Sequence, residues 1–313
     1  MYRQQRYSEC IKEVESKLKQ RPNSLHLLNY QAMAYSALKR DEEALSSYKK
    51  ILKQDSSLAG PHYNMGIILR RNGRVEESIA HYKKAIALKP DYVQAYNNLG
   101  VIYKDSNKYE NAIEMFTKAK ELQPDHQNSY YNIALIKKEQ GLMEEAVSLL
   151  LKVLDLNPEH SKAKYDIALI KKNSGSLIEA EKYLLGILKS DKKNETATIT
   201  LAKVFFETGR VRKAISTLRE AINATENRKT LVHYLGLCLV TIGEFSEGWK
   251  AIERVWEKED NESSKWYKRA KEVWKGNKTK KNILLWRRRQ GIGEDIIFLS
   301  LVSEVQEMCA TLS

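Results

Sequence analysis

The sequence predicts an all-α chain, a right-handed superhelix of antiparallel helical hairpins with a short C-terminal α/β fragment. Three observations carry that prediction. One pattern recurs along most of the chain at a period of about 34 residues. Only 5 prolines and 14 glycines interrupt a sequence rich in Ala, Leu, Lys, Glu and Ile, residue types that mostly suit helices. Small residues also return at fixed places in every unit, where two helices must come close.

The period emerges when the chain is laid on itself. The segment from Val93 aligns without a gap on the segment from Gln127, placing Tyr96 on Tyr130, Leu99 on Ile133, Ala112 on Ala146 and Pro124 on Pro158. The same frame extends to units starting near Leu25, Ala59, Ser161, Glu195 and Lys229. Residues 1–24 read as the second helix of a unit whose first helix is missing, and residues 25–262 as the repeat array.

Each recurring residue type has a physical reason. The eighth position is Ala32, Gly66, Gly100, Ala134, Ala168, Ala202 and Gly236. The twentieth is Ala44, Ala112, Ala146, Ala180 and Ala214. Small side chains there let paired helices approach. Gly73, Gly141, Gly175, Gly209 and Gly243 fall at the turn between the helices, where a positive φ is cheap for glycine. Pro90, Pro124 and Pro158 close the second helix. One unit cannot bury its apolar stripe alone, so neighbours are expected to stack into a shared core.

These residues resemble the tetratricopeptide repeat (TPR) family over about residues 1–262. Tyr96 and Tyr130 stand at the fourth position, which in that family often holds Trp; other units have His62, Lys164 and Thr198 there. The resemblance implies an open spiral whose first helices line a concave groove for peptides or partner proteins. The groove positions then hold Tyr63, Asn64, Arg70 and Arg71, followed by Asn97, Asn98 and Lys104. Tyr131, Asn132 and Lys138 follow, then Lys162, Tyr165, Asp166 and Lys172.

A side-chain amide both donates and accepts, so Asn64, Asn98 and Asn132 could grip an extended backbone with little regard to its sequence. Tyrosines beside them offer apolar faces at low entropic cost. This ladder resembles the asparagine ladder of O-linked N-acetylglucosamine transferases; here it continues as Asp166 and Thr200. The alternative reading is that these amides bond to neighbouring helices or face water. The pairs Lys162 with Asp166, or Gln94 with Asn98, do not make the cationic two-point grip of chaperone-tail receptors.

After about Gly243 the character changes. Trp249, Trp256, Trp266 and Trp274 suggest a packing surface capping the last repeat. The apolar run Asn282–Trp286 reads as a strand, followed by the glycine turn Gln290–Asp295 and an apolar helix from Ile296. Residues 263–313 thus resemble a linker and the start of the glycosyltransferase-like domain of bacterial TPR-glycosyltransferase proteins. Ser313 leaves room for one strand and one helix, so most of such a domain would be missing, and no enzymatic activity is expected of this chain itself.

The net charge is +13, with a pI near 9.4, which suits an acidic protein or peptide partner. Such a charge attracts nucleic acid and anionic membranes alike, and is equally met by lysines that solvate exposed helix faces. The basic stretch Lys275–Arg289 has no companion nucleic-acid motif, so it reads as a solvated linker rather than a nucleic-acid site. Cys10, Cys238 and Cys309 are widely separated, which fits a reducing, cytoplasmic compartment. No apolar run reaches the length of a membrane span. No HExxH, cysteine cluster or P-loop is present, so neither metal nor cofactor is expected. His126 and His160 sit at equivalent unit ends and read as structural. Self-association is a further expectation, through apolar surface left uncovered by the incomplete first unit.

Overall fold

The computed structural model describes residues 2–225 and 229–256, and within them every element is helical. The single N-terminal helix is α1 (Tyr2–Gln20). The first helices of the hairpins are α2 (Leu25–Ala37), α4 (Ala59–Arg71), α6 (Val93–Asp105), α8 (Gln127–Glu139), α10 (Ser161–Asn173), α12 (Glu195–Glu207) and α14 (Lys229–Thr241). Their partners are α3 (Asp41–Gln54), α5 (Val75–Leu88), α7 (Tyr109–Leu122), α9 (Met143–Leu156), α11 (Leu177–Ser190), α13 (Val211–Ala224) and α15 (Phe245–Trp256). The α/β fragment expected within residues 263–313 lies outside the described residues.

The chain forms two compact units, Met1–Pro158 and Glu159–Ser313. In the first, α1 is followed by four hairpins, and in the second the described residues form three. The fifteenth residue of each repeat ends a turn in the left-handed region. Gly73, Gly141, Gly175, Gly209 and Gly243 adopt φ between 72° and 83°. In the other two repeats the same conformation falls on Lys39 (φ 60°) and Asn107 (φ 57°). Asparagine visits this region readily; lysine does so against the clash of its Cβ with the backbone.

Within the first unit, Ala44, Ala112 and Ala146 have no exposed surface. A Cβ on Gly66 would stand 2.8 Å from the Tyr82 ring, and one on Gly100 would stand 2.8 Å from the Phe116 ring. Glycine at these two places makes room for an aromatic ring that fills the hairpin. Ser78, fully buried, donates to the Gly66 carbonyl at 2.6 Å, so the tight crossing carries no unpaired hydroxyl. Within the second unit, Ala168, Ala180, Ala202 and Ala214 join Leu184, Leu201 and Leu218 in one core cluster. At the α14–α15 crossing backbone meets backbone, because Gly236 and Gly248 face one another's carbonyls.

Helix starts are held locally. Asn194 Oδ1 accepts from the Ala197 amide at 3.0 Å, and His160 Nδ1 accepts from the Ala163 amide at 3.1 Å. Each satisfies one of the orphan amides of a first turn. His126 Nδ1 lies 2.8 Å from Ser129 Oγ. The repeated histidines are therefore engaged at helix starts.

Helix α1 buries Val14 and packs Ile11 into a cluster with Leu28 and Tyr35 of α2, and Tyr35 donates to Glu15 Oε1 at 2.6 Å. Lys12, Glu13, Lys17 and Lys19 are exposed, and Tyr7 is the one exposed large hydrophobic among the described side chains of α1. The exposed side chains described for α1 are thus mainly charged or polar. Among the described residues no helix is long and apolar enough to cross a membrane.

Candidate functional site

Within each unit the first helices carry the candidate groups at their fifth, sixth, ninth, twelfth and thirteenth residues. Asn64, Asn98 and Asn132 occupy the sixth position of α4, α6 and α8, and all three are half-buried. Tyr63 and Asn97 precede Asn64 and Asn98 at the fifth position and are half-buried too.

These side chains stitch neighbouring hairpins together. Asn98 Nδ2 donates to Tyr63 Oη at 3.2 Å, and Asn132 Nδ2 donates to Asn97 Oδ1 at 3.4 Å, each across 35 residues. In the second unit Tyr165 Oη and Thr200 Oγ1, again 35 residues apart, lie 3.1 Å from one another. The rule is the fifth residue of one unit to the sixth of the next.

A second bond ties Asn98 backward to the preceding hairpin. Asn98 Nδ2 also reaches Tyr82 Oη at 3.5 Å. Burial pushes the Tyr82 phenol up to about 12, so it stays a neutral hydroxyl across the physiological range. Asn132 has no such partner in α7, because the corresponding residue there is Phe116. With Asn97 donating to its Oδ1 at 3.5 Å, Asn98 uses both ends of its amide within the protein. Asn98 and Asn132 thus bond to the neighbouring hairpin.

Charged groups on the same helices follow a parallel pattern. Arg70 pairs with Asp105 at 2.7 Å, and Lys172 pairs with Glu207 at 2.6 Å, from the twelfth residue to the thirteenth of the next unit. Arg71 pairs with Asp41, and Lys104 Nζ lies 3.3 Å from Asp105. The cations are thus partly neutralised in place. Tyr131, Lys138 and Asp166 are engaged as well, and Asp166 is buried.

Among the described residues, the first unit holds a shallow concavity of about 350 Å³. It is lined by Ile67, Arg70 and Arg71 of α4, Tyr82 of α5 and Asn98 of α6. Ile67 stands 36% exposed at the ninth position, the position at which α2 shows Met33, 52% exposed. The site therefore offers an aliphatic floor, a phenol and amide wall and a guanidinium rim. Ile67 and Tyr82 are absent from the groove residues read off the sequence. The available signal was the pairing of columns: asparagine at the sixth position follows a tyrosine in the twenty-fourth position of the unit before. Among the described residues no group of three or more His, Cys, Asp or Glu could hold a metal ion.

Helical hairpins that recur every ~34 residues, with small residues at the crossings and left-handed turns between them, define a tetratricopeptide repeat protein. Within that class the chain belongs to the family described as the Cilia and flagella-associated protein 70 C-terminal domain, whose profile matches residues 29–272. No curated protein matches the chain. Among solved structures it is similar to the C-terminal part of a TPR repeat-containing protein from Cytophaga hutchinsonii, at 17% identity and a TM-score of 0.59. That match covers 74% of this chain and 95% of the other. The PilF structure from Pseudomonas aeruginosa is 17% identical with a TM-score of 0.57, over 66% of this chain and 94% of the other. Both likenesses concern the fold. MamA is 27% identical over 50% of this chain and 91% of its own, with a TM-score of 0.46.

Proposed function

We propose that this chain is a protein-interaction scaffold that holds an extended, acidic polypeptide segment along the groove of its first helices. The observation that carries the reading is the concavity between α4, α5 and α6. It combines an exposed aliphatic side chain, Ile67, with Arg70, Arg71 and the Tyr82–Asn98 pair. An apolar floor gives affinity, and guanidinium groups at the rim favour carboxylates and steer association. Because Asn98 is already bonded to Tyr63 and Tyr82, its contribution is to hold the wall in place more than to grip the ligand. Asn132, Tyr131 and Lys138 extend the same face onto α8, and Tyr165, Asp166 and Lys172 are the corresponding residues on α10.

Peptides selected from a random library on the full chain provide the test. Selected binders should be enriched in acidic residues, and Ile67→Asp should weaken them about tenfold or more, as loss of a buried anchor does. Binders with no acidic bias and no sensitivity to Ile67 would refute the reading. A cytoplasmic location is proposed with it, supported by Cys10 and Cys238 being free thiols. The further reading, that the groove presents substrate to a glycosyltransferase-type domain starting near Asn282, is supported by the strand, glycine-turn and helix pattern of the sequence alone. Sugar transfer to a selected peptide by the natural protein would test it.

A further inference from the structure

We infer that His62 on α4 and His81 on α5 act as one proton-sharing unit that fastens this hairpin and releases it when both rings are protonated. Their Nδ1 atoms lie 2.9 Å apart, and their ring centroids 5.1 Å apart with the planes inclined by 39°. For nitrogens that close, such a centroid separation puts each ring centre well behind its own nitrogen, so the two lone-pair directions run toward one another. Two imidazoles chelating one metal would aim both lone pairs at a third point and bring the ring centres nearer. The geometry is that of an Nδ1–H···Nδ1 hydrogen bond, in which one ring donates and the other accepts.

The bond responds to acid in two unequal steps. The first added proton can go to Nε2 of the donor ring, which leaves the bond intact and makes it charge-assisted. The second must occupy the accepting Nδ1, which abolishes the bond and sets two N–H groups of like charge against each other. Such a pair titrates as a unit, not as two independent residues. The surroundings oppose the second proton. Both rings are half-buried. The charged groups acting on them are Lys84 of α5, Lys49 of α3, Arg74 at the start of α5, and one carboxylate, Glu77, itself engaged by Arg74 at 2.7 Å.

The consequence reaches the open face. Helix α4 carries Tyr63, Asn64, Ile67 and Arg70, and α5 carries Tyr82. Loosening the α4–α5 hairpin therefore dismantles the concavity between them, whatever that concavity binds. Folded and unfolded states bind the same protons above the ordinary histidine range. Below about pH 6.5 the unfolded chain takes up protons that the folded pair refuses. Stability is thus full near neutrality and is lost as the pH falls.

The test is urea unfolding of the full chain between pH 7.5 and 5, for wild type and for His81→Gln. Each refused proton changes the folding equilibrium by up to about tenfold per pH unit. The wild type should accordingly lose stability with acid more steeply than the variant, by up to that factor, with the other histidines common to both. Equal slopes would overturn the proposal. Should His81→Gln fail to fold, nitrogen-15 NMR of the wild-type imidazoles decides the matter. Two linked steps sharing one downfield Nδ1–H signal are expected, and two independent single titrations would overturn it. Zinc or nickel ions added to the wild type should leave its melting temperature unchanged. A rise that His81→Gln abolishes would assign the pair to metal binding instead.

Discussion

Two glycine-to-alanine substitutions in the second unit should have opposite signs. A Cβ on Gly236 would lie 2.6 Å from Ile252 Cγ1, 2.8 Å from the Gly248 carbonyl oxygen and 3.1 Å from the Ile252 amide nitrogen. Ordinary contact begins at 3.4 Å, so α14 and α15 must part by 3.4 − 2.8 = 0.6 Å at the carbonyl and 0.8 Å at Ile252. The carbonyl belongs to a helix backbone and cannot rotate away. Overpacking of this kind costs about 1–3 kcal/mol. Alanine returns up to about 1 kcal/mol in helix propensity, leaving a net loss of up to about 2 kcal/mol. Gly186 lies in the interior of α11, and a Cβ there meets nothing nearer than Lys164 Cδ at 3.8 Å. Gly186→Ala should therefore stabilise by roughly 0.5–1 kcal/mol.

Urea unfolding followed by circular dichroism measures the difference. Repeat arrays need not unfold in one step, so amide hydrogen exchange in α14 and α15 supplies the local readout. Gly236→Ala should speed exchange in those two helices while leaving α10 and α11 less affected. If Gly236→Ala is as stable as wild type or more so, the close crossing does not constrain the hairpin and the reasoning fails.

The other predictions concern the first unit. Asn98→Ala should cost about 1–2 kcal/mol, since it removes long, partly buried bonds to Tyr63 and Tyr82 and leaves two hydroxyls to find water. Thermal melts alongside peptide affinities would show whether stability falls even where binding is unchanged; an unaffected melt would remove the stitch from the account. Lys39→Gly should stabilise by about 1 kcal/mol, because Lys39 holds φ at 60° where five other repeats use glycine. A loss of stability would mean that the lysine side chain contributes more than its backbone strain costs.

Much of the fold was legible because it depends on short-range rules. Helix starts at a constant spacing, small residues at the eighth and twentieth positions and a left-handed turn residue are local demands, each met within one repeat. Even Lys39 and Asn107 could be placed at the turn by register, though nothing in their side chains announces a positive φ. The groove residues were legible as positions but not as available groups. Asn98 and Asn132 look equivalent along the chain, yet Asn98 meets the hydroxyls of Tyr63 and Tyr82 while Asn132 meets the Asn97 amide.

By itself, then, the sequence determined the repeat, its hairpins and its crossings. Only the tertiary structure decided which side chains of the first helices are already spent. The partners of an amide or a guanidinium lie 35 residues away, as for Asn98 with Tyr63 and Arg70 with Asp105. Whether such groups meet depends on how two hairpins are set side by side, at a tolerance of a few tenths of an ångström that hydrogen bonds demand. A period in a sequence establishes that neighbours stack, while that last distance belongs to the packing.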